Sequence, residues 1–339
     1  MTAVHSNGSI SRLVTGMLVA TAVLVGAGLW YFAHVVQNGI TAGLVQWADQ
    51  RRQQGWTVDA RLSPVAALWV SPGLALRGIR LQGTSDWAPG GFQLAADHVD
   101  VRADMFDSAH LKVTIKGNIT LRLGAMAPVS FTADQLTGLV TLRSKRLGDR
   151  ASIVGIAIDG KNLHSVDGSG YAIGILDGVL ALDDSGAKLD LRTEASVVPA
   201  DVMGLGRYGL GQHLSDVTLT AALVGWPPAL GSRSARADIW RASGGEIDVS
   251  HLVVGWGPLG LVGQGRLGLN QNLQPDLSAK LQVRGFQTVL QGLGENGALV
   301  ASVLAAADPD GVVEANLRLK KGNLTVNRIP VAKFPAIKW

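Results

Sequence analysis

After Gly55 the chain changes rhythm. Apolar and polar positions alternate with a period of two, the spacing of β-strands that cover one face. In Leu74–Leu81, the residues Leu74, Leu76, Ile79 and Leu81 mark the apolar side. His110–Leu123 contributes Leu111, Val113 and Ile115, then Ile119, Leu121 and Leu123, with Gly117-Asn118 between the halves. That pattern predicts a strand pair, or one strand broken by a bulge or turn. Further runs fall at Ser152–Ile158, Ile173–Leu182, Lys188–Val197, Val217–Val224, Glu246–Val254, Leu261–Leu269, Leu277–Val283, Val312–Leu319 and Asn323–Val326. Most are followed by Gly, Asp, Asn or Pro, the residues of turns.

Helical spacing is rarer. Between residues 37 and 55, Ile40, Leu44, Trp47 and Arg51 recur at a helical interval, and Gly55 suits a carboxyl-terminal stop. Phe286–Leu293 and Ala298–Ala307 are further candidates, and Pro199–Leu205 suits one short turn. Leu13–Phe32 is different in kind. It is a run of 20 residues without a charge, closed by Trp30, Tyr31 and Phe32. As a helix it would cross the roughly 30 Å hydrocarbon of a bilayer, with its rings at the interface. Gly26-Ala27-Gly28 has the small residues of a signal cleavage site, but apolar residues follow at once, so an uncleaved anchor is expected. A buried core helix fits less well, because the run is apolar all round.

The expected architecture is mainly β. A cytoplasmic leader (1–12) and a transmembrane anchor (13–36) precede a juxtamembrane helix (37–55). A large, curved, antiparallel domain with a few short helices (56–339) then lies outside the cytoplasm, with a joint near 225–232 at Gly225-Trp226-Pro227-Pro228. Arg12 is the nearest charge to the anchor, which favours a cytoplasmic amino terminus. With so few helices, either sheets cover one another as a sandwich or one long sheet stays open as a trough. Patterning does not separate the two.

The absence of cysteine excludes disulfides, thiolate metal sites and cysteine nucleophiles. A net charge of +4 is too small an excess to indicate nucleic acid. Gly204-Leu-Gly206-Arg-Tyr-Gly209 matches the dinucleotide fingerprint, yet Pro199 precedes it and no helical stretch begins there; a glycine-rich loop is the reading. The seven histidines form no HxH, HxxxH or HExxH. His98 and Asp100 share a strand face, which is read as a solvated surface rather than a metal site. No GxSxG is present, so a hydrolase would need a site dispersed along the chain. No enzyme activity and no cofactor are expected.

Two charge clusters stand out. Arg318, Lys320, Lys321, Arg328, Lys333 and Lys338 occur without an acid between Asn316 and Trp339. Arg143, Lys145, Arg146 and Arg150 form a second group. Each is a solvated strand face or edge, or a contact for anionic lipid head groups.

Three stretches carry a family resemblance: Trp30-Tyr31 through WADQRRQQGWTVDARLSP, Gly244–Leu293, and the ending LRLKKGNLTVNRIPVAKFP. Together they resemble a membrane-anchored alphaproteobacterial family, domain of unknown function twenty-one twenty-five. Gly244–Leu293 also resembles the AsmA-like envelope proteins. The resemblance implies an inner-membrane anchor with a periplasmic β-rich body. For the AsmA-like group it further implies a long curved sheet whose apolar groove serves phospholipid traffic. The expected partners are the inner membrane and phospholipid, with Leu111, Val113, Ile115, Leu121 and Leu123 lining the groove. The alternative is an envelope module that binds another protein.

Overall fold

The computed structural model describes residues 38–39, 41–64, 71–85, 88–103, 107, 109–124, 127–143, 152–199, 209–228, 231–287, 302 and 311–337. Helix α1 (residues 41–53) ends at Gly55, whose φ of 84° is the left-handed stop that glycine supplies. Sixteen strands follow: β1 (Thr57–Pro64), β2 (Gly73–Ser85), β3 (Ala88–Ala103), β4 (His110–Leu123), β5 (Val129–Thr132), β6 (Gln135–Arg143), β7 (Ser152–Ser165) and β8 (Ala172–Asp183). The second half comprises β9 (Gly186–Val197), β10 (His213–Val224), β11 (Glu246–Trp256), β12 (Leu259–Leu269), β13 (Pro275–Arg284), β14 (Val312–Lys320), β15 (Asn323–Val326) and β16 (Ile329–Lys333). Helix α2 (Arg233–Ala242) is carried by the β10–β11 connection.

All sixteen strands belong to one antiparallel meander in chain order. The short β5 and β6 together occupy a single place between β4 and β7. Residues 225–232 lead into α2, and the strands on either side of that connection, β10 and β11, pair directly with each other. Fourteen inter-strand steps at about 4.8 Å give a contour of about 70 Å from first strand to last.

Extensive contacts between elements are confined to sheet neighbours, apart from α2 resting on β12. Among the described residues there is therefore no second sheet on top of the first, and the sandwich alternative is not what forms. Burial says the same. No apolar side chain of β8–β13 is fully buried. The most covered residues include Val58, Leu74, Leu76 and Phe92 at one end and Phe286 and Val313 with Val283, Ile329 and Val331 at the other, with Leu136 and Leu163 packed over Gly160 between them.

At the first end, α1 closes onto the sheet through its aromatic tail. The Arg51 guanidinium lies over Trp47 and Trp56, at 5.9 and 5.0 Å from the ring centroids. Trp56 meets Phe92 edge-on at 4.7 Å and fills the space above Gly83, where a Cβ would come within 2.8 Å of the indole. Arg52 donates to the Val58 carbonyl at 2.6 Å, covering part of the edge strand. No helix of the described residues is long and apolar enough to cross a membrane. Leu13–Phe32 lies outside the described residues, as do the Gly204–Tyr208 part of the fingerprint match, all but Pro199 of the short turn expected at Pro199–Leu205, and nearly all of both expected helices between 286 and 307.

Candidate functional site

Paired residues of neighbouring strands share a face, so the register can be followed across the sheet. One row begins at Leu74 and runs through Val101, Val113, Gly138, Ile158, Gly178 and Leu191. It continues through Leu219, Leu252, Gly263 and Leu281 to Ala315. The row beside it starts at Ala103 and Leu111 and ends at Val326 and Ile329, again with only apolar residues and glycine between. The opposite face reads Asp100, Thr114, Thr137, Asp159, Asp177, Arg192 and Thr218 along one such row. The sheet thus has one continuous apolar face and one largely polar face.

All five expected groove residues lie on the apolar face. Leu111, Val113 and Ile115 are half-buried, whereas Leu121 and Leu123 keep 39% and 40% of their surface exposed. Ile158, on the same face two strand places away, keeps 42%. Such exposure of large aliphatic residues along one continuous face is uncommon in a protein that acts alone in water.

The basic residues near the carboxyl end do not form one patch. Arg318 and Lys320 stand on the polar face of β14. Lys320 and Lys333 flank Asn323 at one rim, with Lys321 in the adjoining turn. Arg328 sits in the β15–β16 turn at the opposite rim. All five described members are exposed. Lys338 lies outside the described residues, as do Lys145, Arg146 and Arg150.

The reading of His98 and Asp100 as a solvated surface needs correction. They do share the polar face, but Asp100 is buried at 7% exposure. His98 Nε2 lies 2.7 Å from one carboxylate oxygen, and Lys116 Nζ donates to the other at 3.2 Å. Burial alone would raise the Asp100 carboxyl. The hydrogen bonds and positive charge of Lys116 and His98 outweigh it and hold the group below its ordinary 3.8. This is a satisfied ion-pair cluster, and among the described residues no group of three or more His, Asp or Glu could hold a metal.

Sequence reasoning passed over α2. Its N-cap Ser232 accepts from Ala235 N at 3.3 Å. Trp240 Nε1 donates to the Gly225 carbonyl at 2.9 Å, which fixes the helix against the rim it shares with Lys321. Between α2 and the apolar face lies a cavity of about 370 Å³, floored by Leu223, Ile247, Leu267, Leu269 and Pro275. Arg233, Arg236, Ala237 and Trp240 form its helical wall. The signal was present, since a Ser cap followed by 233, 236, 237 and 240 is a helical stripe. Its two arginines hid it from a search for apolar periodicity.

Among the described residues, a single-layer antiparallel sheet with one largely uncovered apolar face defines the structural class. The chain belongs to the bacterial family described as an uncharacterized protein conserved in bacteria (DUF2125), whose model matches residues 30–335. No curated relative and no solved structure matches it.

Proposed function

We propose that this protein binds or shields phospholipid acyl chains on the apolar face of its sheet. The observation that carries the reading is the unbroken apolar face from β1 to β16, which no second layer of the described residues covers. An acyl chain asks only for dispersion and hydrophobic contact, at about 0.8 kcal/mol per buried methylene. It needs no catalytic constellation. A contour of about 70 Å exceeds twice the hydrocarbon thickness of a bilayer, so several chains can lie side by side across the strands. The uncharged run Leu13–Phe32 would tether the sheet to the inner membrane with its body in the periplasm, and the AsmA-like resemblance of Gly244–Leu293 points the same way.

The test is lipid analysis of the full chain purified in a nonionic detergent. Phospholipid should remain bound in stoichiometric excess over a control protein carrying only the Leu13–Phe32 anchor. In parallel, a reporter fused after Trp339 should be active only if it works in the periplasm. Equal lipid on the anchor-only control would remove the reading, and cytoplasmic reporter activity would remove its envelope setting.

A further inference from the structure

We propose that the polar face of β1–β4 is a docking surface for the anionic head groups of the bilayer that holds the Leu13–Phe32 anchor. This rests on the tethered-envelope part of the reading above and deepens it, because it says which face the sheet turns to the membrane. The strand register assembles the charges. Arg61 pairs with Arg77, Arg77 with His98, and His98 with Lys116, so one row of this face carries basic side chains across four strands. Four residues further along β3, Arg102 stands beside Lys112. Arg61, Arg77, Arg102, Lys112 and Lys116 are all exposed.

The carboxylates of this region do not cancel that charge. Asp100 is buried between His98 and Lys116, at 2.7 and 3.2 Å. Asp59 stands opposite Arg80 in the β1–β2 register. Asp97 accepts the Asn118 N–H at the bulge, and Asp107 lies 2.7 Å from His110. Arg61, Arg77, Arg102 and Lys112 remain as a positive surplus. Attraction to an anionic surface scales with this surplus and needs no single guanidinium to be free. The surplus is also local. In the middle of the sheet the same face carries Asp159, Asp177 and Asp190 among Lys188 and Arg192.

A single anion asks for donors that converge on it. These charges are instead spread over one flat layer, about 4.8 Å from strand to strand, which fits a flat array of many anions. Their place along the chain agrees. The uncharged run ends at Phe32 and β1 begins at Thr57, so β1–β4 are the strands nearest the anchor in sequence. Each basic residue held close to an anionic membrane surface adds about fivefold to the attraction, and the effect fades within a Debye length of about 10 Å. Docked in this way, the sheet keeps its apolar face clear of the head groups.

The test uses the absence of cysteine. Gln82→Cys on the polar face of β2 carries a fluorescent label, and Gln282→Cys on the polar face of β13 carries the control label. The full chain is reconstituted through its anchor in phosphatidylcholine vesicles with or without phosphatidylglycerol. Energy transfer from each label to acceptor-tagged head groups is then measured. Phosphatidylglycerol should raise transfer from position 82 and not from position 282, and high salt should reverse the rise. Arg61→Gln, Arg77→Gln, Arg102→Gln and Lys112→Gln together should lower the docked-to-free ratio about a hundredfold or more, with strand content and detergent-retained phospholipid as in the wild type. Arg61→Lys with Arg77→Lys and Arg102→Lys should keep docking. Equal transfer with and without phosphatidylglycerol, an equal rise at position 282, or an unchanged rise in the glutamine variant would overturn the docking surface while the acyl-chain reading stands. Capture of polyglutamate without any response to phosphatidylglycerol would overturn it in favour of an acidic protein partner. Docking without retained phospholipid would support the surface and remove the acyl-chain reading alone.

Discussion

Leu121→Asp discriminates an open apolar face from a covered one. Complete burial of a leucine contributes about 1.5–3 kcal/mol. Leu121 keeps 39% of its surface exposed, so its removal should cost about 1–2 kcal/mol, in proportion to the part covered. The new carboxylate retains water at that exposure and escapes the several kcal/mol that an unpaired buried charge costs. For a domain of this size the melting temperature should fall by about 2–8 °C, with strand content intact. Leu76, on the same face but only 8% exposed, between β1 and β3 near the first end of the sheet, is the internal control. Leu76→Asp places the charge among covered neighbours and should cost more than about 4 kcal/mol, enough to unfold that end. The assays are thermal unfolding followed by circular dichroism, and phosphorus analysis of the purified proteins. Leu121→Asp should stay folded and lose bound phospholipid. Damage equal to that of Leu76→Asp would refute the reasoning, because it would mean that Leu121 sits under a layer.

Two further outcomes follow from local geometry. Because its partners hold the Asp100 carboxyl below 3.8, its stabilisation is complete above that pH and is lost as pH falls through the lower folded-state value. Asp100→Asn should therefore be less stable than wild type by about 1–3 kcal/mol at pH 7, and denaturant titrations should show that gap closing below pH 3.8. Gly285 has φ 68°, and a Cβ there would overlap the Pro258 carbonyl oxygen, whereas Gly55 at φ 84° faces open space. Gly285→Ala should cost clearly more than the ~1 kcal/mol expected of Gly55→Ala, and equal midpoint shifts in urea would contradict the overlap.

The strands most legible in the sequence are those whose polar and apolar residues differ sharply. β4 was read at its observed bounds because Leu, Val and Ile alternate with Lys and Thr. Gly117-Asn118 is the bulge rather than a hairpin turn: Gly117 has φ 79°, and Asp97 accepts the Asn118 N–H at 2.9 Å. In β3 the strand reading reaches only the His98–Asp100 part, because Ala95 and Ala96 face opposite sides and blur the contrast before it. β16 escaped because Pro330 argues against a strand, and an edge strand is where proline is tolerated. Period two put Leu111, Val113, Ile115, Leu121 and Leu123 on one face. Whether that face is covered depends on what packs over it, and alternation is the same in both cases. The cavity under α2 depends on tertiary placement of two arginines that local hydropathy reads as solvent-facing.

The meander also has a consequence for how such a chain can change in length. Each strand pairs only with the strands beside it along the chain, with β5 and β6 sharing one place, so the sheet behaves as a linear array of hairpins. Removing or duplicating one hairpin leaves the direction of the next strand unchanged and keeps inward residues inward. A single-strand change would reverse everything downstream. The apolar strip can therefore lengthen or shorten in steps of about 10 Å, two strand spacings at a time, without redesign of either end. Its reach is a quantity set by repeat number, separable from the chemistry of its surface.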